Sequence, residues 1–169
     1  MPNKVIIKDK INSFKKSVLI SGDKSLSIRW ILFSSLADGI STSKNLLMSE
    51  DVLAAITAIK KLGIQVKFKN NICKIYGKGV EGYKYKKNLI INAENSGTLG
   101  RLILGLLINT THPIKITGDK SLSKRDFKRI TDPLTKFGAK FKLKNKKNLP
   151  LTIYGSKNLK PVKYYEKKG

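Results

Sequence analysis

A chain of 169 residues, 40% of them hydrophobic, is long enough for one domain with its own core. Its single cysteine, Cys73, and single histidine, His112, exclude a disulfide framework and the common zinc sites. No apolar run approaches the roughly 20 residues of a membrane helix, and Met1-Pro2-Asn3-Lys4 leads into a strand-like stretch and not a signal core. A cytoplasmic protein without a membrane partner is the expectation.

The formal net charge is +24. Such a charge points to nucleic acid or another anionic surface. The lysines are scattered along the whole chain, however, and Asn and Ile are also abundant. The favoured reading is compositional drift, with the field helping to attract anionic substrates. Arginine is scarce by contrast: Arg29, Arg101, Arg125 and Arg129 are the full set. A guanidinium grips a carboxylate or phosphate with a planar fork that lysine lacks. The few arginines therefore mark candidate anion sites, with ordinary surface salt bridges as the alternative.

In chain order, Val5 to Ile7 read as a strand without a helix of its own. A strand over Ser17 to Ile20 leads into the loop Ser21-Gly22-Asp23-Lys24-Ser25. A helix follows with Ile28, Ile31, Leu32, Ser35 and Leu36 at helical spacing, and Trp30 and Phe33 read as core. A strand over Ile40 to Ser43 comes next. Ser49 is placed to cap a second helix, with Glu50 and Asp51 in its first turn and Val52, Ile56 and Ile59 on its apolar face. Gly63 ends it, and a hairpin alternates at Val66 and Phe68.

The same order then recurs. Leu62-Gly63-Ile64-Gln65-Val66-Lys67-Phe68-Lys69-Asn70 matches Phe137-Gly138-Ala139-Lys140-Phe141-Lys142-Leu143-Lys144-Asn145 at an offset of about 75 residues. A strand over Leu89 to Asn92 leads into Glu94-Asn95-Ser96-Gly97-Thr98 and a helix carrying Leu99, Leu102, Ile103, Leu106 and Leu107. That helix is apolar nearly all round, which predicts burial. A strand over Ile114 to Thr117, a helix with Phe127, Ile130, Leu134 and Phe137, and a hairpin at Phe141 and Leu143 complete the copy. The chain is thus an α/β protein of repeated βαβαββ units, spanning 17–79 and 88–156, with residues 157–169 as the entry to a third. More chain is expected to follow.

Gly22-Asp23-Lys24-Ser25-Leu26-Ser27-Ile28-Arg29 follows a strand and opens a helix, where backbone N–H groups favour an anion. Lys24 adds a charge and Ser25 a hydroxyl, and Arg29 lies one turn beyond Ser25. Asn95-Ser96-Gly97-Thr98 with Arg101 repeats the design in the second unit, Gly97 allowing backbone to approach a ligand closely. Gly118-Asp119-Lys120-Ser121-Leu122-Ser123-Lys124-Arg125 echoes the first motif, but before the second helix of its unit. The plain alternative for each is a capped helix with solvated basic side chains. No nucleotide fingerprint and no Ser–His–Asp set is present. Asp51 and Asp126 read as first-turn helix residues, Cys73 as strand packing, and His112 as a surface turn residue.

These residues resemble the EPSP synthase family, from about Ser17 to Tyr164. Gly22 to Arg29 match its Gly-Asp/Ser-Lys-Ser-x-Ser-x-Arg loop, and Asn95 to Arg101 its Asn-Ala/Ser-Gly-Thr loop with the following Arg. Lys124-Arg125 match its Lys-Arg-Pro-like turn, and Asn45 to Val52 also fit. The resemblance implies the enolpyruvyl transferase fold, an inside-out α/β barrel of such units. It implies transfer of the enolpyruvyl group of phosphoenolpyruvate to the 5-hydroxyl of shikimate 3-phosphate, without metal or organic cofactor. On that resemblance Lys24 is catalytic and touches both substrates, and Ser25 and Arg29 hold shikimate 3-phosphate. Gly97, Thr98 and Arg125 hold phosphoenolpyruvate, with Asn95 and Arg101 shaping its pocket.

The family has two domains of three units each, with the site between them. Residues 1–15 would then supply a strand to the second domain, and 16–169 an incomplete first domain, inactive alone and monomeric when full length. Three positions depart from the family: Ser21 and Asp126 stand where proline is common, and Glu94 where glycine is usual. Two rivals remain. The sister transferase acting on UDP-N-acetylglucosamine carries Asn after the loop lysine, where this chain has Ser25, and lacks the Arg29 pattern. A basic nucleic-acid-binding module would show strongly salt-dependent affinity.

Overall fold

Asp23 starts the first helix. Its carboxylate accepts from Leu26 N at 2.7 Å, satisfying one of the free amides of the first turn of α1 (Lys24–Leu36). In the computed structural model, which describes residues 6, 8, 10, 13, 15, 17, 18 and 20–165, α1 is followed by β1 (Asp38–Lys44), α2 (Glu50–Lys61), β2 (Gln65–Lys69) and β3 (Ile72–Lys78). The second unit holds β4 (Leu89–Asn92), α3 (Gly97–Leu106), β5 (Ile114–Thr117), α4 (Lys128–Lys136), β6 (Lys140–Lys144) and β7 (Asn148–Tyr154), with a single 3-10 turn at Leu122–Lys124.

The repeat seen in the letters is a repeat in structure. Leu62 and Phe137 close α2 and α4, and Gly63 (φ 86°) and Gly138 (φ 114°) take the left-handed conformation that glycine permits beyond a helix end. Each hairpin then turns on two consecutive positive-φ residues, Asn70-Asn71 and Asn145-Lys146, the backbone that suits the twist of paired strands. Phe68 pairs with Cys73, and Leu143 with Leu151.

The two sheets differ by one strand. The second has the order β4-β5-β7-β6, with β4 parallel to β5 and the other pairs antiparallel. The first has the order β1-β3-β2, all antiparallel. The strand expected over Ser17 to Ile20 would lie beside β1, as β4 lies beside β5. Among its described residues, Ser17, Val18 and Ile20, no strand forms. The Ile20 carbonyl is taken by the Asn45 side chain at 3.3 Å. The strand expected at Val5 to Ile7 lies outside the described residues, apart from Ile6.

The helices pack on one another, α1 against α2 and α3, and α3 against α4, while α1 also rests on β3. One apolar cluster runs through both units. It takes Ile28, Ile31 and Leu32 from α1, Val52, Ile56 and Ile59 from α2, and Leu99, Ile103 and Leu104 from α3. The strands add Ile75, Ile91, Ile116 and Ile153, and Phe127 lies fully buried at the start of α4. Truncating a buried side chain such as Ile31 to alanine costs about 2–5 kcal/mol.

Two helices are less buried than their composition suggests. Phe33 is 67% exposed, because the buried stripe of α1 runs through Ile28, Ile31, Leu32 and Ser35 and leaves Phe33 on the far side. Trp30 is half-buried against the cluster. In α3, Leu102 and Gly105 face away from the stripe through Leu99, Ile103 and Leu107 and are exposed. Ser49 stands at the N-cap of α2 by backbone, its carbonyl accepting from Leu53 N at 2.9 Å, but its hydroxyl makes no capping bond. His112 is half-buried against Tyr85, whose hydroxyl donates to the His112 carbonyl at 2.9 Å.

Candidate active site

The first loop is pressed against the segment between β1 and α2. A Cβ on Gly22 would stand 2.6 Å from Asn45 O and 3.1 Å from Leu47 N, so only glycine fits. Leu47 N donates to the buried Ser27 hydroxyl at 3.3 Å, fixing the same approach from the helix side. This places Lys24 at the N-terminus of α1, with its Nζ 3.0 Å from Asp51 Oδ2. Ser25 is half-buried and Arg29 is exposed. Asp51 does sit in the first turn of α2, as its position suggests, but it is also the counter-ion of Lys24.

The second loop gathers more groups. Ser96 caps α3, its hydroxyl accepting from Leu99 N at 3.3 Å, and Gly97 and the half-buried Thr98 form the first turn. A Cβ on Gly97 would lie 2.9 Å from Arg125 Nη1 and 3.2 Å from Arg101 Nη1. Two guanidinium groups therefore converge on the N-terminus of α3, where the helix dipole and free amides already favour an anion. Arg101 is steadied by stacking over the ring of buried Phe127, its Cζ 5.5 Å from the centroid. Arg125 Nη2 reaches Asn95 Oδ1 at 3.5 Å. Asn95 in turn donates its Nδ2 to Asp119 Oδ2 at 2.6 Å.

Asp119 was not among the residues the sequence singled out individually, yet it joins two loops. Its Oδ1 accepts from Leu122 N at 2.6 Å, and its backbone N donates to Glu94 O at 2.8 Å. The signal was present in the letters. Gly-Asp-Lys-Ser-Leu-Ser occurs at 22–27 and 118–123, and in both copies the Asp carboxylate caps the amide three residues on. Glu94 adopts φ 49°, the left-handed region, where the family's glycine carries no steric penalty. Its carboxylate accepts from Asn92 Nδ2 at 2.6 Å.

The structure thus sorts the expected residues into two groups. Lys24, Ser25 and Arg29 stand at the start of α1, and Asn95, Gly97, Thr98, Arg101 and Arg125 around the start of α3. The two helices pack on one another. Among the described residues, no ion pair joins the groups, and no cluster of three or more His, Cys, Asp or Glu suited to a metal occurs. No helix is long and apolar enough to cross a membrane.

Comparison with known proteins points the same way. The family model described as EPSP synthase (3-phosphoshikimate 1-carboxyvinyltransferase) matches residues 8–168. A 3-phosphoshikimate 1-carboxyvinyltransferase of Streptococcus suis is 39% identical over 91% of this chain and 36% of its own length. That of Streptococcus mutans is 42% identical over 86% of this chain and 34% of its own. A solved EPSP synthase from Acinetobacter baumannii superimposes with a TM-score of 0.82 at 36% identity, covering 90% of this chain and 35% of that one. The chain spans about a third of the length of these relatives. With the matched residues running through both repeat units and every motif described above, the chain belongs to the EPSP synthase (3-phosphoshikimate 1-carboxyvinyltransferase) family.

Proposed function

We propose that this chain supplies one wall of an active site that transfers the enolpyruvyl group of phosphoenolpyruvate to the 5-hydroxyl of shikimate 3-phosphate, releasing phosphate after a tetrahedral intermediate. The observation that carries the proposal is the convergence of Arg101 and Arg125 on Gly97 at the start of α3. Both substrates are anionic, and developing charge on them is stabilised by fixed cations and helix N-termini. In this reading Gly97, Thr98 and Arg125 take the carboxylate and phosphate of phosphoenolpyruvate, with Asn95 and Arg101 setting the shape of the pocket. Ser25 and Arg29 hold shikimate 3-phosphate. Lys24 touches both substrates, and Asp51 holds its ammonium in place until they bind.

Residues 16–169 form, in this proposal, an incomplete first domain, and 1–15 a strand for a second. Coverage of about a third of each relative supports the incompleteness of that domain. The remaining groups of the site then lie on other chain, and the 169 residues alone bind substrates without turning them over. The complete enzyme is proposed to be a cytoplasmic monomer that binds no nucleic acid.

Calorimetric titration of the 169-residue chain tests this. Uptake of shikimate 3-phosphate and phosphoenolpyruvate is expected, with R29A weakening the first and R125A the second. UDP-N-acetylglucosamine should not bind. Salt-sensitive uptake of an oligonucleotide with no uptake of either small anion would overturn the proposal in favour of a nucleic-acid module.

A further inference from the structure

Arg125 follows a turn that stops abruptly. The segment Asp119-Lys120-Ser121-Leu122-Ser123 begins as the corresponding letters of α1 do, yet it closes after the single 3-10 turn Leu122–Lys124. Arg125 then takes extended backbone, φ −73° and ψ 151°. The carbonyls at the end of a helical turn have no partner within it and must find one elsewhere. Here one side chain serves both. Asn148, the first residue of β7 and only 8% exposed, donates its Nδ2 to Lys124 O at 3.0 Å and to Arg125 O at 3.1 Å. An amide nitrogen carries two hydrogens, so each carbonyl receives its own. Next to it, Phe127 N donates to Lys147 O at 2.8 Å. The β6–β7 hairpin thereby grips the backbone on both sides of Arg125.

We infer that Asn148 is a positioning residue for Arg125: by holding the carbonyls of Lys124 and Arg125 it sets where the guanidinium meets Gly97. The inference rests on the reading of Arg125 as a phosphoenolpyruvate ligand. The guanidinium itself has weak anchorage, since its recorded side-chain hydrogen bond is the long contact to Asn95 at 3.5 Å. Its location is therefore inherited from its backbone, and its backbone is held by Asn148. Misplacement of a binding group by about 1 Å is enough to cost on the order of a hundredfold in a preorganised site. Asn148 touches neither substrate in this account.

The test uses the 169-residue chain and two variants. N148A removes both donors. N148D keeps the shape and turns a carboxylate oxygen towards two carbonyls. Phosphoenolpyruvate and shikimate 3-phosphate are titrated separately, and the Arg125 Nε–Hε NMR signal, assigned by its loss in R125K, is followed without ligand. The expected result is a fall of about tenfold or more in phosphoenolpyruvate affinity, a change under about twofold for shikimate 3-phosphate, and a displaced Arg125 signal in both variants. A parallel loss of both affinities with the Arg125 signal unmoved would overturn the inference and leave Asn148 a hairpin residue only. Should N148A and N148D not fold, N148T keeps a donor in a residue suited to a strand, and a smaller shift in the same direction is expected. If the wild-type chain takes up neither substrate, the proposed function fails. The Arg125 signal still decides the inference: moved supports it, unmoved overturns it.

Discussion

Asn95 and Asp119 lie 24 residues apart in sequence and are joined by a 2.6 Å hydrogen bond from amide to carboxylate. The bond fixes which way the Asn95 amide faces. With Nδ2 committed to Asp119, Oδ1 is left for the Arg125 guanidinium. Asp119→Asn should reverse this. The new side chain still offers an oxygen to Leu122 N, but it then turns an NH2 towards Asn95. Asn95 must flip and present its own NH2 to Arg125. A loss of about five- to tenfold in phosphoenolpyruvate affinity is expected, about 1–1.4 kcal/mol. Stability should fall by no more than the ~3 kcal/mol upper bound for one hydrogen bond to a charged group. Titration calorimetry paired with a urea melt separates the two effects, and equal affinity in D119N and wild type would refute the account.

Gly97 is a case where a methyl group should harm binding and not folding. It occupies the first turn of α3 with ordinary backbone, so alanine meets no conformational penalty there and gains the better helix propensity of about 0.8–1 kcal/mol in an interior site, less at a terminus. The new Cβ would stand 2.9 Å from Arg125 Nη1 and 3.2 Å from Arg101 Nη1. Both are ends of side chains that can swing aside, so the clash is relieved by moving the anion site. Gly97→Ala is expected to leave the melting temperature unchanged or slightly raised. Phosphoenolpyruvate affinity should drop by about tenfold or more. A destabilised variant with unaltered affinity would show that the guanidinium groups are not held where they are needed.

Glu94 carries two costs that Glu94→Gly removes together. Its φ of 49° is uncomfortable for a residue with a Cβ, and its carboxylate brings negative charge to the loop that precedes the proposed anion site. Against this, the bond from Asn92 Nδ2 to the Glu94 carboxylate is lost, and glycine has more freedom to lose on folding. These terms oppose each other, so stability should change by less than ~1 kcal/mol. Anion affinity should rise, and the gain should shrink as salt is raised from 10 mM towards 1 M, because exposed charges are screened over about a Debye length. A gain independent of salt would assign the effect to loop shape and not to charge.

How far the sequence could be read follows from the range of the interactions involved. The helix opened by Gly22 to Arg29, the hairpins at Val66 and Phe141, and the glycines that end α2 and α4 are written in neighbouring letters, and they form as read. So does the repeat, apart from the strand expected over Ser17 to Ile20, because each copy restates the same local signals. Phe33 was misread because apolar composition does not say which side of α1 meets the core; the spacing of Ile28, Ile31 and Leu32 does. The partners of the site were beyond reach for a different reason. Asp51 meets Lys24 across 27 positions, and Asn148 meets Arg125 across 23. Both contacts depend on how finished units pack, and no local pattern announces them. The resemblance to a family named the candidate residues, while their neighbours Asp51 and Asn148 came only from the fold.

Cys73 and Tyr83 give the fold a pH dependence. Burial pushes the Cys73 thiol up to about 11 from an ordinary 9.0, with Lys60 pulling slightly the other way. Burial likewise raises the Tyr83 phenol to about 12 from 10.0, against a smaller lowering by its hydrogen bond to Ser35. In both cases the folded chain binds its proton more tightly than the unfolded one. Well below pH ~8 both groups are almost wholly neutral in either state and contribute almost no slope. Between pH ~8 and ~12 the unfolded chain releases protons that the folded chain keeps, so stability must fall as pH rises. Urea midpoints measured from pH 7 to 11 should be level at first and then decline. Cys73→Ser and Tyr83→Phe should each flatten part of the decline. A thiol-reactive probe offers a second reading: at pH 8 Cys73 should be labelled slowly in the native chain and rapidly in urea, since the thiolate is the reactive form. Rapid native labelling at pH 8 would show that the β3 strand opens far more readily than its burial in the core allows.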